Sequence, residues 1–135
     1  MADLNGICSE IVNDVDDAFA AAVVDLSTGL LLAVSHNIPY FTQTYLDAVA
    51  AAAVDMFRGK NVSTVEKLLS NQRGNEVMNS INEVQMTTDK TYHFMSIIPG
   101  KENALMVLVT GKKANLGMGW MAVRNALPTI AEGCP

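Results

Sequence analysis

Aromatic side chains are scarce in this 135-residue chain: one Trp, three Tyr and four Phe. Tyr92, Phe94 and Trp120 are too sparse to form a platform on which nucleic-acid bases could stack. Positive charge is scarce as well. Nine Lys and Arg face fourteen Asp and Glu, for a net charge of −5, and only Lys112 and Lys113 sit side by side. A phosphate backbone meets net repulsion from such a surface, so no nucleic acid is expected as a partner. An acidic surface is also a poor match for anionic lipid. No apolar run is longer than Ala48 to Val54, which falls far short of the roughly 20 residues of a membrane span. No membrane insertion is expected. The residues after Met1 carry neither a basic nor an apolar leader segment, so no signal peptide is expected either. Cys8 and Cys134 stand near opposite ends. One bridge is open to them, but free thiols in a reducing cytoplasm are the simpler expectation.

What remains is a composition that folds. Half the residues are hydrophobic and 17% are charged, which favours a globule over a disordered segment. A chain of this length buries roughly two-thirds of its unfolded surface. With no linker-like tract, charge block or internal repeat, residues 1–135 are expected to form one cytoplasmic domain.

Hydrophobic spacing outlines the elements. Leu4, Ile7, Cys8, Ile11, Val12 and Val15 recur at helical intervals after Asp3, a candidate N-cap. Cys8 falls on that apolar stripe, where a small buried hydrophobe is expected rather than a reactive thiol. Ala20 to Leu26 and Leu30 to Ser35 are expected to be strands around the turn Ser27-Thr28-Gly29. Both are apolar on both faces, which points to the middle of a sheet. Phe41 before a Thr42 cap could staple onto Leu46, opening a helix to Arg58. Its polar residues Thr44, Asp47, Asp55 and Arg58 share one narrow stripe, and apolar residues cover the rest of the circumference. A surface helix needs an apolar arc of only about 100° or somewhat more. So small a chain has little left to bury the excess, which favours a partner.

Gly59 can end that helix, and Ser63 to Glu66 has the spacing of a capping box for a short helix to about Asn71. Three strands are expected at Ile81 to Thr87, Thr91 to Ile98 and Ala104 to Thr110. In the first, Glu83, Gln85 and Thr87 alternate with Val84 and Met86, as in a half-exposed edge strand. The last helix starts at an Asn115 cap, places Leu116, Trp120, Val123 and Leu127 on a core stripe, and should stop or kink at Pro128. The main order, α-β-β-α-β-β-β-α, implies an α/β (α+β) fold: a five-stranded antiparallel sheet flanked by helices.

Catalytic constellations are missing from the sequence. His36 and His93 have no close His or Cys companion at metal-ligand spacing, so no metal is expected. No nucleophile turn or phosphate loop occurs, and Gly117-Met118-Gly119 lacks the third glycine of a dinucleotide site. Close packing of the last helix on the sheet explains those glycines more simply. Asp16-Asp17 has the look of a loop or cap rather than an acid/base dyad. The expectation is a non-enzymatic interaction domain without a cofactor.

The stretch Ala20-Ala21-Ala22-Val23-Val24-Asp25-Leu26-Ser27-Thr28-Gly29-Leu30-Leu31-Leu32-Ala33 resembles the first hairpin of Roadblock (dynein light-chain) type domains. Leu105 to Val109, followed by Ala114-Asn115-Leu116-Gly117, resembles their last strand and the start of their final helix. The resemblance implies a profilin-like architecture with the first and last helices on one face of the sheet and the long middle helix on the other. It also implies a homodimer, joined through the middle helix and the adjoining edge strand into one continuous sheet. Carried onto this chain, the interface comprises Tyr45, Val49, Ala52, Ala53 and Met56 on the helix, with Val84 and Met86 on the strand. Roadblock resemblance further implies a regulator or scaffold of a small Ras-like GTPase in bacterial-style signalling; other members are dynein-associated. No motif presents an arginine finger. The alternative from a different class is a small-molecule-sensing module, with a pocket between sheet and helix and methionines in its wall.

Overall fold

The computed structural model describes residues 3–135. In chain order the elements are α1 (Leu4–Asp14), β1 (Ala18–Asp25), β2 (Leu30–His36), α2 (Gln43–Arg58), α3 (Lys60–Arg73), β3 (Glu83–Thr87), β4 (Thr91–Ile98), β5 (Lys101–Gly111) and α4 (Leu116–Gly133). The strands form one antiparallel sheet in the order β2-β1-β5-β4-β3. Its two faces are covered unequally. Cys8, Ile11 and Val12 of α1 join Val123, Leu127 and Ile130 of α4 around Phe94, Met106 and Leu108. On the opposite face only α2 contributes, through Ala50, Ala53 and Phe57.

Local chemistry accounts for most boundaries. Thr42 Oγ1 accepts the Tyr45 amide at 3.2 Å, and Asn115 Oδ1 accepts the Met118 amide at 3.1 Å, so α2 and α4 begin at side-chain caps. Asp3 adopts the extended N-cap backbone but makes no side-chain cap bond. Gly29 and Gly100, with φ of 76° and 78°, turn the β1–β2 and β4–β5 hairpins. Asp17 also has positive φ, and its carboxylate accepts the Lys113 amide at 3.0 Å, tying the α1–β1 turn to the segment before α4.

Four expectations are corrected. The helix after Gly59 starts at Lys60, not at a Ser63 capping box: Ser63 donates its amide to the Gly59 carbonyl inside the helix. Val65 and Leu68 of this helix are 55% and 59% exposed, while its buried residue is Glu66. β2 is an edge strand, not a central one; it is apolar on both faces because α1 packs on one side and α2 on the other. Pro128 does not stop α4, which runs on to Gly133. Pro128 lies on the exposed side, where water can hydrate the carbonyl it leaves unpaired, and buried Leu127 and Ile130 hold the last turns to the sheet. Leu116 is more exposed than its place on the stripe suggested, at 38%.

Cys8 is fully buried, and burial, with the Asp3 carboxylate, pushes its thiol up to about 11. It is an inert core residue at neutral pH. Gly119 is where α4 comes closest to the sheet: a Cβ there would lie 2.5 Å from the Phe94 ring. That ring is itself buried and set edge-on to Trp120 at 5.4 Å. Gly119→Ala is therefore expected to lower the unfolding free energy by about 1–3 kcal/mol, read from urea denaturation. Gly117→Ala should change it little, because the nearest atom is the exposed Asn115 Oδ1 at 3.3 Å.

Candidate interaction surface

Under α2 the sheet presents its side chains in cross-strand rows. One row reads His36, Ala20, Val109, His93 and Met86, from β2 to β3. The next reads Val34, Ala22, Val107, Met95 and Val84. The low point of both rows is an alanine of β1. Facing them from α2 are Ala50 and Ala53. Bulk is concentrated at the ends of the helix, with Phe41 just before it and the fully buried Phe57 in its last turn. Small residues over small residues leave a gap that cannot close while the ends are propped apart. Accordingly α1 and α4 hug their strands, whereas α2 approaches the sheet backbone chiefly at β2.

The result is an apolar groove of about 320 Å3 lined from α2 and from all five strands. Phe41 stacks on Tyr45 with ring centroids 4.8 Å apart, walling one end. Among the lining residues Tyr45, Ala52 and Thr88 are exposed and mark the mouth. Six of the seven residues singled out from the sequence meet in this groove: Tyr45, Val49, Ala52, Ala53, Met56 and Met86. Ala53 is 2% exposed and forms part of the roof inside the chain. Val84 does not line the groove but lies half-buried beside Met95 in the second row. The outward arc of α2 is bare, with Tyr45, Ala48, Ala51 and Ala52 all exposed.

Phe41, Thr88, His93 and Met95 also line the groove. Only strand register brings His93 and Met95 there, and no local sequence signal points to either. His93 is the sole histidine of the wall. Burial pushes its imidazole below the ordinary value, and its Nε2 lies 3.0 Å from Thr91 Oγ1. No Asp, Glu, Lys or Arg lines the groove. Among the described residues no group of three or more His, Cys, Asp or Glu could hold a metal ion, and no helix is long and apolar enough to cross a membrane.

The groove ends at the edge strand β3, which among the described residues pairs with β4 alone. β3 has the alternation expected of an edge, with Val84 and Met86 turned to the α2 face. Its polar residues are held from the other side by α4. Trp120 Nε1 donates to Gln85 Oε1 at 2.8 Å, and the Arg124 guanidinium reaches both Glu83 carboxylate oxygens at 3.1 and 3.3 Å. Both Arg124 and Glu83 are well exposed, so the ion pair contributes less than about 1 kcal/mol. Its value is positional. The strand carries neither proline nor lysine, residues that commonly guard a free edge.

No protein-family model matches this sequence, and no curated protein matches it. Solved structures do. MglB of Myxococcus xanthus has a TM-score of 0.69 at 14% identity, over 96% of this chain and 92% of that one. A Roadblock/LC7 domain from Streptomyces avermitilis has a TM-score of 0.63 at 20% identity, over 96% and 99%. MglC from Myxococcus xanthus has a TM-score of 0.59 at 16% identity, over 96% and 97%. These chains share the sheet with helices on both faces across nearly their whole length. The protein described here has the fold of a Roadblock-type domain.

Proposed function

We propose that this chain is a non-catalytic regulator or scaffold of a small Ras-like GTPase, and that it works as a homodimer joined through α2 and β3. One observation carries the dimer: the bare flank of α2 lies over an apolar groove that runs out to an unprotected sheet edge. A second β3 alongside the first would extend the sheet and satisfy the free backbone groups of the edge. The exposed alanines of α2 would let a second helix approach closely. Each protomer would then lend cover to the other, at roughly 25 cal/mol for every Å2 of apolar surface removed from water. A solved MglB structure described as having a tetrameric arrangement, with a TM-score of 0.69 to this chain, gives an instance of self-association in this fold.

The GTPase is inferred from the Roadblock resemblance of the first hairpin and of the start of the last helix. Two of the three arginines are engaged within the chain, which suits scaffolding better than direct participation in hydrolysis. Arg58 is bound to Asn103 and to the Glu102 carbonyl, and Arg124 to Glu83.

Ala52→Glu tests the interface. A carboxylate forced into the helix contact should weaken association by about 3 kcal/mol or more, so light scattering should give twice the chain mass for wild type and a folded monomer for the variant. Equal masses for two well-folded proteins would place the interface elsewhere. The second expectation concerns pH. Burial lowers the pKa of His93, so the folded state disfavours the proton. Stability from this residue is present above the ordinary imidazole value of about 6.5 and is lost as pH falls through the lower folded value. A second copy closing the groove would dry His93 further, so dimer affinity should fall on acidification in that window. His93→Phe should flatten the profile measured by sedimentation. The third expectation concerns the partner. Affinity capture with GDP, and again with a slowly hydrolysed GTP analogue, should recover a Ras-like GTPase preferentially in one nucleotide state. Recovery in neither would remove the GTPase from the proposal and leave the dimer standing.

A further inference from the structure

The face of the sheet opposite α2 carries a second surface, between α1 and α4. Two hollows of about 360 and 270 Å3 adjoin there and share Asp14, Val15, Ala122 and Asn125. They make one furrow along the helix pair, and its walls differ in chemistry. On the side of α1 and the turn after it stand Glu10, Asp14 and Asp16, all exposed. From α4 rise Met118 and Met121, 62% and 60% exposed. Methionine side chains are flexible and polarizable, which suits them to a surface that must mould to a partner helix. Lys113 is the one cation in the lining. The furrow is acidic on one wall and apolar on the other.

α3 is the chemical counterpart of that furrow. No Lys or Arg precedes Arg58, so every such cation of the chain lies from the last residue of α2 onward. Lys60, Lys67 and Arg73 of α3 are exposed, while its single acid, Glu66, is buried and bonded to Ser80. Val65 and Leu68, three residues apart, share one side of the helix and are exposed. Lys60 and Lys67, seven apart, fall on one line along a flank of that side. Among the described residues, neither these lysines nor Glu10, Asp14 and Asp16 belong to an ion pair. α3 packs on α2, across the sheet from α1 and α4, and so cannot enter the furrow of its own chain. We infer that α3 of one copy docks in the α1–α4 furrow of another. Val65 and Leu68 then lie against Met118 and Met121, and Lys60 and Lys67 face Glu10 and Asp14. Because the two patches are unlike, the contact is heterologous and links copies head to tail, in rings or open chains. It uses none of the α2 and β3 residues of the proposed dimer and goes beyond that reading.

Sedimentation velocity on the full chain, over a rising series of concentrations, reads this assembly. The wild type should form species heavier than two chains, and more of them as concentration rises. One variant reverses the helix, with Lys60→Glu and Lys67→Glu. A second reverses the furrow, with Glu10→Lys and Asp14→Lys. Each sets like charges against each other and should weaken the heavier species by about tenfold or more. All four positions are exposed, so both variants should fold, which circular dichroism checks. Mixing the two variants should restore assembly, because one supplies an unaltered furrow and the other an unaltered α3. Only a contact between unlike surfaces behaves in that way. Ala52→Glu leaves both surfaces intact, so linked species should persist in it after the α2 contact is lost, and the two interfaces fail separately. A wild type that never exceeds two chains, or variants that assemble as the wild type does, overturns the inference. Variants that stay apart when mixed overturn the pairing of α3 with the furrow.

Discussion

A five-stranded sheet has two faces to keep from water, and this chain has enough helix to cover one of them well. α1 and α4 lie close over their face, with Gly119 letting α4 touch the Phe94 ring. On the other face α2 is held at its ends by Phe41 and Phe57, and the side chains it fully buries in its middle are the alanines Ala50 and Ala53. Unequal cover is the constraint from which the functional surface follows. It leaves an apolar groove, a bare helix flank and an open strand edge side by side.

The remaining elements hold that arrangement in place. Trp120 and Arg124 reach from α4 to Gln85 and Glu83, so the well-packed face positions the edge strand of the poorly packed one. Arg58 ties the end of α2 to the β4–β5 turn through Asn103 and the Glu102 carbonyl. α3 is braced by polar contacts rather than by its leucines. The Glu66 carboxylate accepts from both the hydroxyl and the amide of Ser80, which holds it below the usual carboxylate range, and Ser70 pairs with the backbone of Val77. Those bonds fix the segment that leads into β3 and leave Val65 and Leu68 facing outward.

Much of this was legible in the chain itself, where the physics is local. The caps at Thr42 and Asn115, the glycine turn at Gly29 and the alternation of β3 need only neighbours in sequence to act. The excess of apolar residues around α2 was legible too, because helical periodicity converts composition directly into faces. Misjudged elements share a different property. Ser63 has the spacing of a cap but sits inside a helix that starts at Lys60, β2 is apolar but lies at an edge, and Pro128 is carried through by the buried residues beside it. In each case contacts with distant residues outweighed a local preference.

The sequence by itself determined the element types, the hairpins and the presence of one helix too apolar for its own fold. Tertiary structure alone decided that Ala20 and Ala22 come to lie under Ala50 and Ala53, and that His93 and Met95 share their rows. The reason is the range of the forces involved. Capping, turn geometry and amphipathic spacing act over a few residues, whereas register between strands and the height of a helix above a sheet are set by side chains brought together from across the chain.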